Sequence, residues 1–442
     1  MPTSTRNRLT RSATLRLTAL LQGTAAGHVF QMGNGRLVFR YEDAWRSQPT
    51  AYPLSLSMSL SAAEHGDRAI RAFLWGLLPD NPDVIAWWAR KYGVSRYRVV
   101  DLLAHTGEDC AGAVQFAKPE RVAALVGVST FVDEQQSIEW LSEQQVGERL
   151  RALRLNPAVS RATGDTGQFS LAGAQPKTAL YQNDEGRWGI PTGRVPTNRI
   201  LKPPTLGLDD FAYNEHVCLR LASELGFAAA RSSVVDFAGE SAIVLERYDR
   251  ARIGASLSRI HQEDMCQALA VEPTRKYEAD GGPSIEKIAK LIDQHSSSAK
   301  EDVARFVDAI IFNWLIAGSD AHAKNFSILH ATGPQLRLAP LYDVISILPY
   351  PQLLDSNNSL AMSIDGERRM DAIRGSHWRA LAKRVGMNAE DVVERIQDLA
   401  RRIPDGLNKI MADRSTDKKT RRVAELFSEH VVGHTRRCLR RL

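Results

Sequence analysis

The pattern of apolar and polar positions changes twice along the chain. From about residue 15 to 39, apolar and polar residues alternate around the turn sequence Gly33-Asn34-Gly35, which predicts antiparallel strands. Two helical stretches follow, at 69–93 and 95–107, and Pro79, Pro82 and Gly93 interrupt them. The chain therefore begins with strands and continues into short helices.

The second pattern, from Gln168 onward, consists of short strands separated by turns. A hairpin is predicted over 177–190 and a strand over 198–202. A helix over 210–227 and a second hairpin turning at Gly239 follow. Strands, one helix and more strands indicate a small, mostly antiparallel lobe.

Beyond Tyr248 helical spacing dominates, with apolar faces over 283–293, 306–317 and 388–400. Short apolar runs at 326–329 and 336–347 interrupt it and predict a small hairpin. We predict an α+β fold of two lobes, with a β-rich N-terminal part, an all-helical C-terminal lobe and a cleft between them. The predicted domain boundaries are 1–160, 161–250 and 251–442.

Composition narrows the class of protein only slightly. The chain has 442 residues, is 43% apolar and 24% charged, and carries a net charge of +6, which favours an anionic partner. Four widely spaced cysteines without a C-x-x-C pair indicate a cytoplasmic protein rather than a disulfide or zinc framework. No apolar run reaches the roughly 18 residues that a membrane helix needs. The first 41 residues are basic and lack Asp and Glu, which would suit a transit peptide, but the strand pattern from Leu15 onward leaves only a short basic tail before it.

Asp320 and Asn325 stand in "GSDAHAKNFSIL" with the D-x-x-x-x-N spacing of a kinase catalytic loop. In such a loop the Asp accepts the proton of the substrate hydroxyl and the Asn holds magnesium. Asp343 lies in the apolar run "LAPLYDVIS", where an unpaired carboxylate would be costly, so it is a candidate second magnesium ligand. The alternatives are a turn-capping Asp320 and a buried, hydrogen-bonded Asp343.

Three further features stand in kinase order ahead of this loop. The stretch "SLAGAQPKT" offers small residues and Lys177 to phosphate, although it is not a Walker A motif. Lys202 closes a strand, as the nucleotide-binding lysine of kinases does, and Glu215 on the next helix could pair with it. "VLERYD" falls where the hinge between lobes should be. Each feature alone could be structural, with Lys202 a surface lysine, but their order favours phosphoryl transfer.

A competing motif is a helix-turn-helix around Gly93, which would place a helix in a DNA groove. We favour an αα-hairpin packed by Trp87, Trp88 and Leu102. The basic C-terminal sequences "KKTRR" and "RRCLRR" are interpreted as solvated helix faces.

In combination, the motifs resemble those of HipA-type toxins, the serine/threonine kinase half of a type II toxin–antitoxin pair. The matching pieces include "SLAGAQPKTAL", "RILKPP", "VLERYDR", "NWLIAGSDAHAKNFSI", "LAPLYDVIS" and, nearer the N-terminus, "GLLPDNP". The resemblance implies a kinase-like fold that uses ATP and Mg, with Asp320 as the catalytic base and Asn325 and Asp343 as metal ligands. It also implies an ATP site formed by the following residues: Ala172, Gly173, Ala174, Gln175, Pro176, Lys177, Lys202, Glu246, Arg247, Tyr248, His322, Lys324, Asn325 and Tyr342.

The same resemblance implies regulation and partners. Ser170 matches the serine that family members autophosphorylate, which ejects the phosphate loop and inactivates the kinase. The implied partners are a small helix-turn-helix antitoxin (HipB-like), operator DNA mainly through that antitoxin, and a protein substrate such as an aminoacyl-tRNA synthetase. "LAKRVG" around Lys383 and Arg384 is a weak candidate for direct DNA contact. Ser319 and Pro176 depart from the common family pattern without removing a catalytic group.

Two other functions stay open at this point. One is a phosphotransferase acting on a small molecule or lipid, since D-x-H-x-x-N also occurs in such kinase-like folds. The other is an inactive co-repressor that binds operator DNA, although the presence of Asp320, Asn325, Asp343 and Lys202 argues against it.

Overall fold

The computed structural model describes residues 13–127, 137–156, 169–205, 207–208, 210–253, 256–331, 333, 335–356 and 358–442. The predicted basic tail and the boundary at 160/161 lie outside these residues. The strands are β1 (Ala13–Leu21), β2 (Thr24–Met32), β3 (Leu37–Tyr41), β4 (Glu64–His65), β5 (Val114–Ala117), β6 (Ile138–Leu141), β7 (Thr178–Gln182), β8 (Trp188–Pro191), β9 (Arg199–Lys202), β10 (Ser232–Phe237), β11 (Glu240–Glu246), β12 (Arg250–Ile253), β13 (Ser256–Arg259), β14 (His261–Asp264), β15 (Ser327–His330), β16 (Leu336–Leu338), β17 (Ser359–Ile364) and β18 (Glu367–Arg369).

The α-helices are α1 (Asp43–Arg46), α2 (Asp67–Gly76), α3 (Pro82–Tyr92), α4 (Val99–Thr106), α5 (Val122–Leu125), α6 (Glu143–Leu155), α7 (Phe211–Glu224), α8 (Met265–Ala268), α9 (Ile285–His295), α10 (Ala299–Leu315), α11 (Pro351–Ser356), α12 (Gly375–Arg384), α13 (Ala389–Ala412) and α14 (Lys418–Leu439).

The N-terminal part is built on a five-stranded sheet in the order β4-β3-β2-β1-β5, with helices α2 to α4 packed against it. The turn at 33–35 joins β2 to β3 as the sequence predicts. Helices α3 and α4 form an αα-hairpin, and Gly93 between them has a φ of 66°. Both Trp88 and Leu102 are buried in the sheet's core. One side of α4 packs into this core. Packing alone therefore accounts for the hairpin, and a role in DNA binding is not needed to explain it.

The next unit is a six-stranded sheet in the order β10-β11-β9-β7-β8-β6. Its strands β7, β9 and β11 agree with the pattern of the sequence, and α7 packs against β10 and β11. Strand β6 pairs with β8, and α6 packs on β10 and β11. These two elements precede residue 160, so strand pairing groups them with the second predicted segment rather than the first. The apolar side of α6 fits against this sheet through Val146 and Leu150.

The C-terminal lobe is mainly helical, with α9, α10 and α12 to α14 enclosing the largest core. It is not all-helical, because β12 to β18 lie in it, three of them forming the sheet β14-β15-β16. The predicted hairpin at 326–338 supplies β15 and β16. Strand β14 has the polar sequence HQED, which no apolar periodicity marks as a strand. Its His261 and Glu263 are nonetheless buried, because they bond polar groups of the N-terminal part.

A buried cluster of charges joins the N-terminal part to the two lobes. Asp109, which follows α4, accepts hydrogen bonds from Arg250 at 2.9 Å, Arg259 at 3.3 Å and the Thr197 hydroxyl at 2.6 Å. Burial alone would raise the pKa of Asp109, but these arginines and Arg247 hold it well below its usual range. The three parts therefore form one continuous structure around the cleft. In the described part of the chain, no helix combines the length and apolarity needed to cross a bilayer.

Candidate active site

The catalytic-loop sequence follows α10 directly. Ala317 has a φ of 54°, so the chain leaves the helix through a left-handed residue before Asp320. Asn325 ends a 3-10 turn, and its Nδ2 donates to the Asp320 carbonyl at 3.0 Å. Because the amide nitrogen of Asn325 is hydrogen-bonded within the loop, its amide oxygen is the atom that could coordinate a metal. One loop thus fixes both side chains.

Asp320 is exposed and is held by a residue that the sequence did not indicate. The hydroxyl of Tyr277 donates to its Oδ1 at 2.6 Å, which leaves Oδ2 for another donor. Burial, and then the charge of Asp320, raise the pKa of Tyr277 above its usual value. The Tyr277 ring also contacts His322 edge to face, with 5.0 Å between ring centroids. "RKYEADGG" lies in an irregular segment, and only the three-dimensional structure brings it to the loop.

Lys202, Glu215 and Asp343 form an ion triad at the floor of the cleft. The Lys202 ammonium lies 2.7 Å from Glu215 Oε1 and 2.7 Å from Asp343 Oδ1. Glu215 is fully buried and burial raises its pKa, whereas the Asp343 side chain is 33% exposed. Burial opposes the charge of Asp343, but Lys202 and Lys177 lower its pKa below the usual range. The triad places an ionised carboxylate at the cleft.

The backbone of Asp343 is unusual for a residue with a side chain. Its φ is 57°, in the left-handed region that non-glycine residues avoid. Asn325 Nδ2 lies 3.5 Å from its carbonyl oxygen. The strained conformation turns the Asp343 carboxylate towards Lys202 and into the same cleft as Asn325.

The candidate phosphate loop, residues 172–177, lines the same cavity as Lys202 and Asp343. Gly173 has a φ of 104°, and a Cβ added there would come within 2.3 Å of Lys177 Nζ. That ammonium donates to the Ala172 carbonyl at 2.7 Å, and burial, followed by the nearby Lys202, lowers the pKa of Lys177 to about 8. Ala174 at the loop's tip is exposed, and Pro176 is half-buried. Gln175 Nε2 is buried without a hydrogen-bond partner among the described residues.

In the hinge segment, residues 246–248, the side chains of Tyr248 and Arg247 point to different surroundings. Tyr248 packs on Tyr342 with 5.6 Å between ring centroids, and the Tyr342 hydroxyl donates to the Lys324 carbonyl at 2.6 Å. Arg247 turns its guanidinium away into the buried charge cluster, where it bonds Asp249, Thr197 and Cys110. The amide N–H groups of Glu246 and Arg247 already donate to Arg231 and Asn198 carbonyls.

A cavity of about 140 Å³ joins these parts, and its walls include the phosphate loop, the hinge, Lys202, Lys324, Asn325 and Asp343. Lys324 and His322 are 5% and 4% exposed respectively. The Lys324 ammonium bonds Asp80 of the N-terminal part, and His322 Nδ1 has no partner among the described residues. Burial lowers the pKa of His322, so a neutral ring is favoured.

Ser170 lies just before the phosphate loop and is fully buried. Its hydroxyl donates to the Leu77 carbonyl at 2.8 Å, and its N–H donates to the Asp109 carbonyl at 2.9 Å. In this conformation the Ser170 oxygen cannot receive a phosphoryl group without movement of the segment.

A second cavity, of about 500 Å³, opens on the other side of Asp320 and Asp343. Its walls are mixed: half-buried Phe211, Leu208 and Ile345 are apolar, and Asp280, Asp320, Asp343 and Arg368 are charged. Asp343 therefore lines both the smaller cavity on the phosphate-loop side and this wider one, whereas Asp320 lines the wider one.

A strand-rich lobe carrying a Lys–Glu pair, and a helical lobe carrying D-x-x-x-x-N and a second Asp, define a kinase. Family models describe the two halves of the chain: "HipA N-terminal domain" matches residues 17–117 and "HipA-like C-terminal domain" matches residues 169–407. The chain belongs to the HipA family of kinases.

Individual relatives agree with this assignment. Y4mE of Sinorhizobium fredii is 34% identical over 395 residues, covering 89% of this chain and 91% of that protein. The serine/threonine-protein kinase toxin HipA of Shewanella oneidensis is 27% identical over 386 residues, covering 84% and 83%. A solved structure of HipA from Shewanella oneidensis, in complex with HipB and operator DNA, has a TM-score of 0.79 at 24% identity and covers 96% of this chain and 97% of that one. At that identity the structural likeness supports the fold alone.

Proposed function

We propose that the chain is an ATP- and Mg-dependent serine/threonine protein kinase that acts as a growth-inhibiting toxin. The observation that carries this proposal is the convergence of Asp320, Asn325, Asp343 and the Lys202–Glu215 pair on one cleft. A structural role for Lys202 would not require its ammonium to bridge a buried acid and a cleft carboxylate.

The residues fit a nucleotide with magnesium. Asn325 and Asp343 offer hard oxygen donors, which magnesium prefers, and magnesium normally takes its remaining ligands from phosphates and water. Lys177 and Lys202 supply positive charge for phosphate, and Gly173 leaves the space beside Lys177 free of a side chain. The metal, held by Asn325 and Asp343, would neutralise phosphate charge during transfer. The hinge would bind the adenine base through Tyr248 and backbone groups rather than through the Arg247 side chain.

Asp320 is the proposed base for the hydroxyl group of the phosphate acceptor. With Oδ1 held by Tyr277, Oδ2 accepts the hydroxyl proton as the acceptor oxygen bonds the terminal phosphorus and the bond to the leaving oxygen breaks. The cavity beside Asp320 is wider than the one at the phosphate loop, and its three aspartates would repel phosphate, so it suits a protein segment better than a nucleotide. An aminoacyl-tRNA synthetase is the substrate that the family resemblance suggests.

The proposal includes the partners and location expected of this family. A HipB-like helix-turn-helix antitoxin would hold the toxin and read operator DNA, in keeping with the complex described for the Shewanella protein. The four cysteines are all free and buried, which supports a cytoplasmic location.

Autophosphorylation of Ser170 forms the last part of the proposal. The buried Ser170 must leave its bonds to the N-terminal part before it reaches a phosphate donor. Once modified, a group of charge about −2 could not return to this site. Phosphorylation would therefore hold the loop out and end activity.

The test is incubation of the purified chain with labelled ATP and magnesium, with and without a lysate as the acceptor source. We expect label on Ser170 and on an acceptor protein, and none with Asp320→Asn, which keeps the shape of the side chain. Label on a small molecule alone would favour a small-molecule phosphotransferase. Absence of both label and nucleotide binding in the wild type would contradict the proposal.

A further inference from the structure

One residue of the N-terminal part reaches the cleft. Asp80 lies between α2 and α3, in the sequence "GLLPDNP", far from the kinase motifs in the chain. Its Oδ1 lies 2.5 Å from Lys324 Nζ in the catalytic loop, and its Oδ2 lies 2.9 Å from Lys276 Nζ. Lys324 is 3% exposed at its side chain and Asp80 is 11% exposed, so little water competes for the pair.

The same short segment also holds the phosphate loop. The N–H of Asp80 donates to the Gly173 carbonyl at 3.1 Å, and Pro79 pairs with Gly173 as a parallel bridge. Two residues before Pro79, the Leu77 carbonyl accepts the Ser170 hydroxyl. Residues 77–80 therefore contact the loop expected to cradle phosphate at Gly173, and the chain just before it at Ser170.

The second lysine extends the contact. Lys276 is next to Tyr277, which orients Asp320, and its carbonyl accepts from the Ala323 N–H of the catalytic loop at 3.4 Å. The Asp80 carboxylate thus holds one lysine within the catalytic loop and a second lysine next to Tyr277. Burial would raise the pKa of Asp80, but Lys324 and Lys276 lower it to about 2, so it is ionised throughout the physiological range.

We propose that Asp80 is a positioning residue for phosphoryl transfer, which holds Lys324 and the phosphate loop in register across the cleft. The N-terminal part therefore contributes a residue to the active site. The inference rests on the proposed kinase activity and assigns it a residue outside the kinase motifs. Asp80 acts through Lys324 and need not contact the substrate.

The first test is a double-mutant cycle between Asp80→Asn and Lys324→Met, read as kcat and KM for ATP. We expect Asp80→Asn to lower kcat by about tenfold to a hundredfold, since a displacement of about 1 Å can cost that much. The kcat of the double variant should lie within about twofold of the kcat of the less active single variant. Effects that multiply, or a kcat within twofold of wild type in Asp80→Asn, would overturn the proposal.

Asp83→Asn is the matched control, because Asp83 lies in the same segment, is exposed and carries the same charge. It should retain wild-type kcat. Asp80→Asn leaves two lysines without a counter-charge and could lower the unfolding temperature. In that case the double variant Asp80→Asn/Lys276→Met, which restores the net charge, replaces Asp80→Asn in the cycle.

A second readout does not depend on catalysis. In nucleotide-free protein, Asp80→Asn should increase amide hydrogen exchange in 170–177 and 320–325, while Asp83→Asn should not. Unchanged exchange in both segments would overturn the positioning role. A wild type that transfers no phosphate would contradict the proposed function, while the exchange measurement would still decide the role of Asp80.

Discussion

The hydroxyl of Tyr277 offers the sharpest test of how the catalytic carboxylate is held. Tyr277→Phe removes one oxygen, and with it the 2.6 Å bond to Asp320 Oδ1, while the edge-to-face contact with His322 stays possible. A hydrogen bond to a charged group contributes about 1.5 to 3 kcal/mol. Asp320 is exposed and water can replace the lost donor, so the lower figure applies, which corresponds to about tenfold in rate.

The assay is the steady-state rate of phosphate transfer to protein at saturating ATP. We expect kcat to fall by about tenfold and KM for ATP to change by less than twofold, because Tyr277 does not line the nucleotide cavity. Tyr97→Phe, at a tyrosine that is 69% exposed, is the control and should be unaffected. A kcat within twofold of wild type in Tyr277→Phe would show that the hydrogen bond does not orient the base.

Three further predictions concern the rest of the cleft and the core. Lys202→Met should lower the free energy of unfolding by about 3 to 5 kcal/mol in urea titrations, because Glu215 would stay buried without its counter-charge; an unchanged midpoint would contradict this. Gly173→Ala should weaken ATP binding by about tenfold in calorimetry, because a side chain strains the backbone at a φ of 104° and its Cβ would displace the Lys177 ammonium; wild-type affinity would contradict this. Burial lowers the pKa of His261 to about 3, so below pH 6.5 the unfolded chain binds a proton that the folded chain does not. The free energy of unfolding should therefore fall as the pH drops below 6.5. At pH 5 the loss is about 2 kcal/mol, and urea titrations of His261→Gln should show a smaller loss.

The sequence predicted the local parts of the site better than the distant ones. Asp320 and Asn325 share one short loop, so their spacing fixes their relation, and the pairing of Lys202 with Glu215 follows from a strand leading into a helix. The same reasoning placed the two hairpins and the helix before the catalytic loop. These features depend on periodicity and on short spacing, which a sequence displays directly.

What the sequence did not indicate comes from contacts between distant segments. Tyr277 reaches Asp320 from an irregular segment, and Asp80 reaches Lys324 across 244 positions of the chain. Arg247 was expected at ATP as part of the hinge, and the sequence did not indicate that its side chain belongs to the charge cluster around Asp109, where buried carboxylates require partners. Strand β14 was missed for a similar reason, since its polar residues are buried against polar groups.

The cluster around Asp109 bears on how this protein can change over evolution. Three arginines of the kinase lobes share the Asp109 carboxylate of the N-terminal part, and removing Asp109 leaves three buried guanidinium groups with Asp249 as their nearby counter-charge. Exchange of the N-terminal part for one without this carboxylate would therefore leave excess positive charge buried at the junction. A piece beginning at residue 169 would likewise keep the three arginines and lose Asp109.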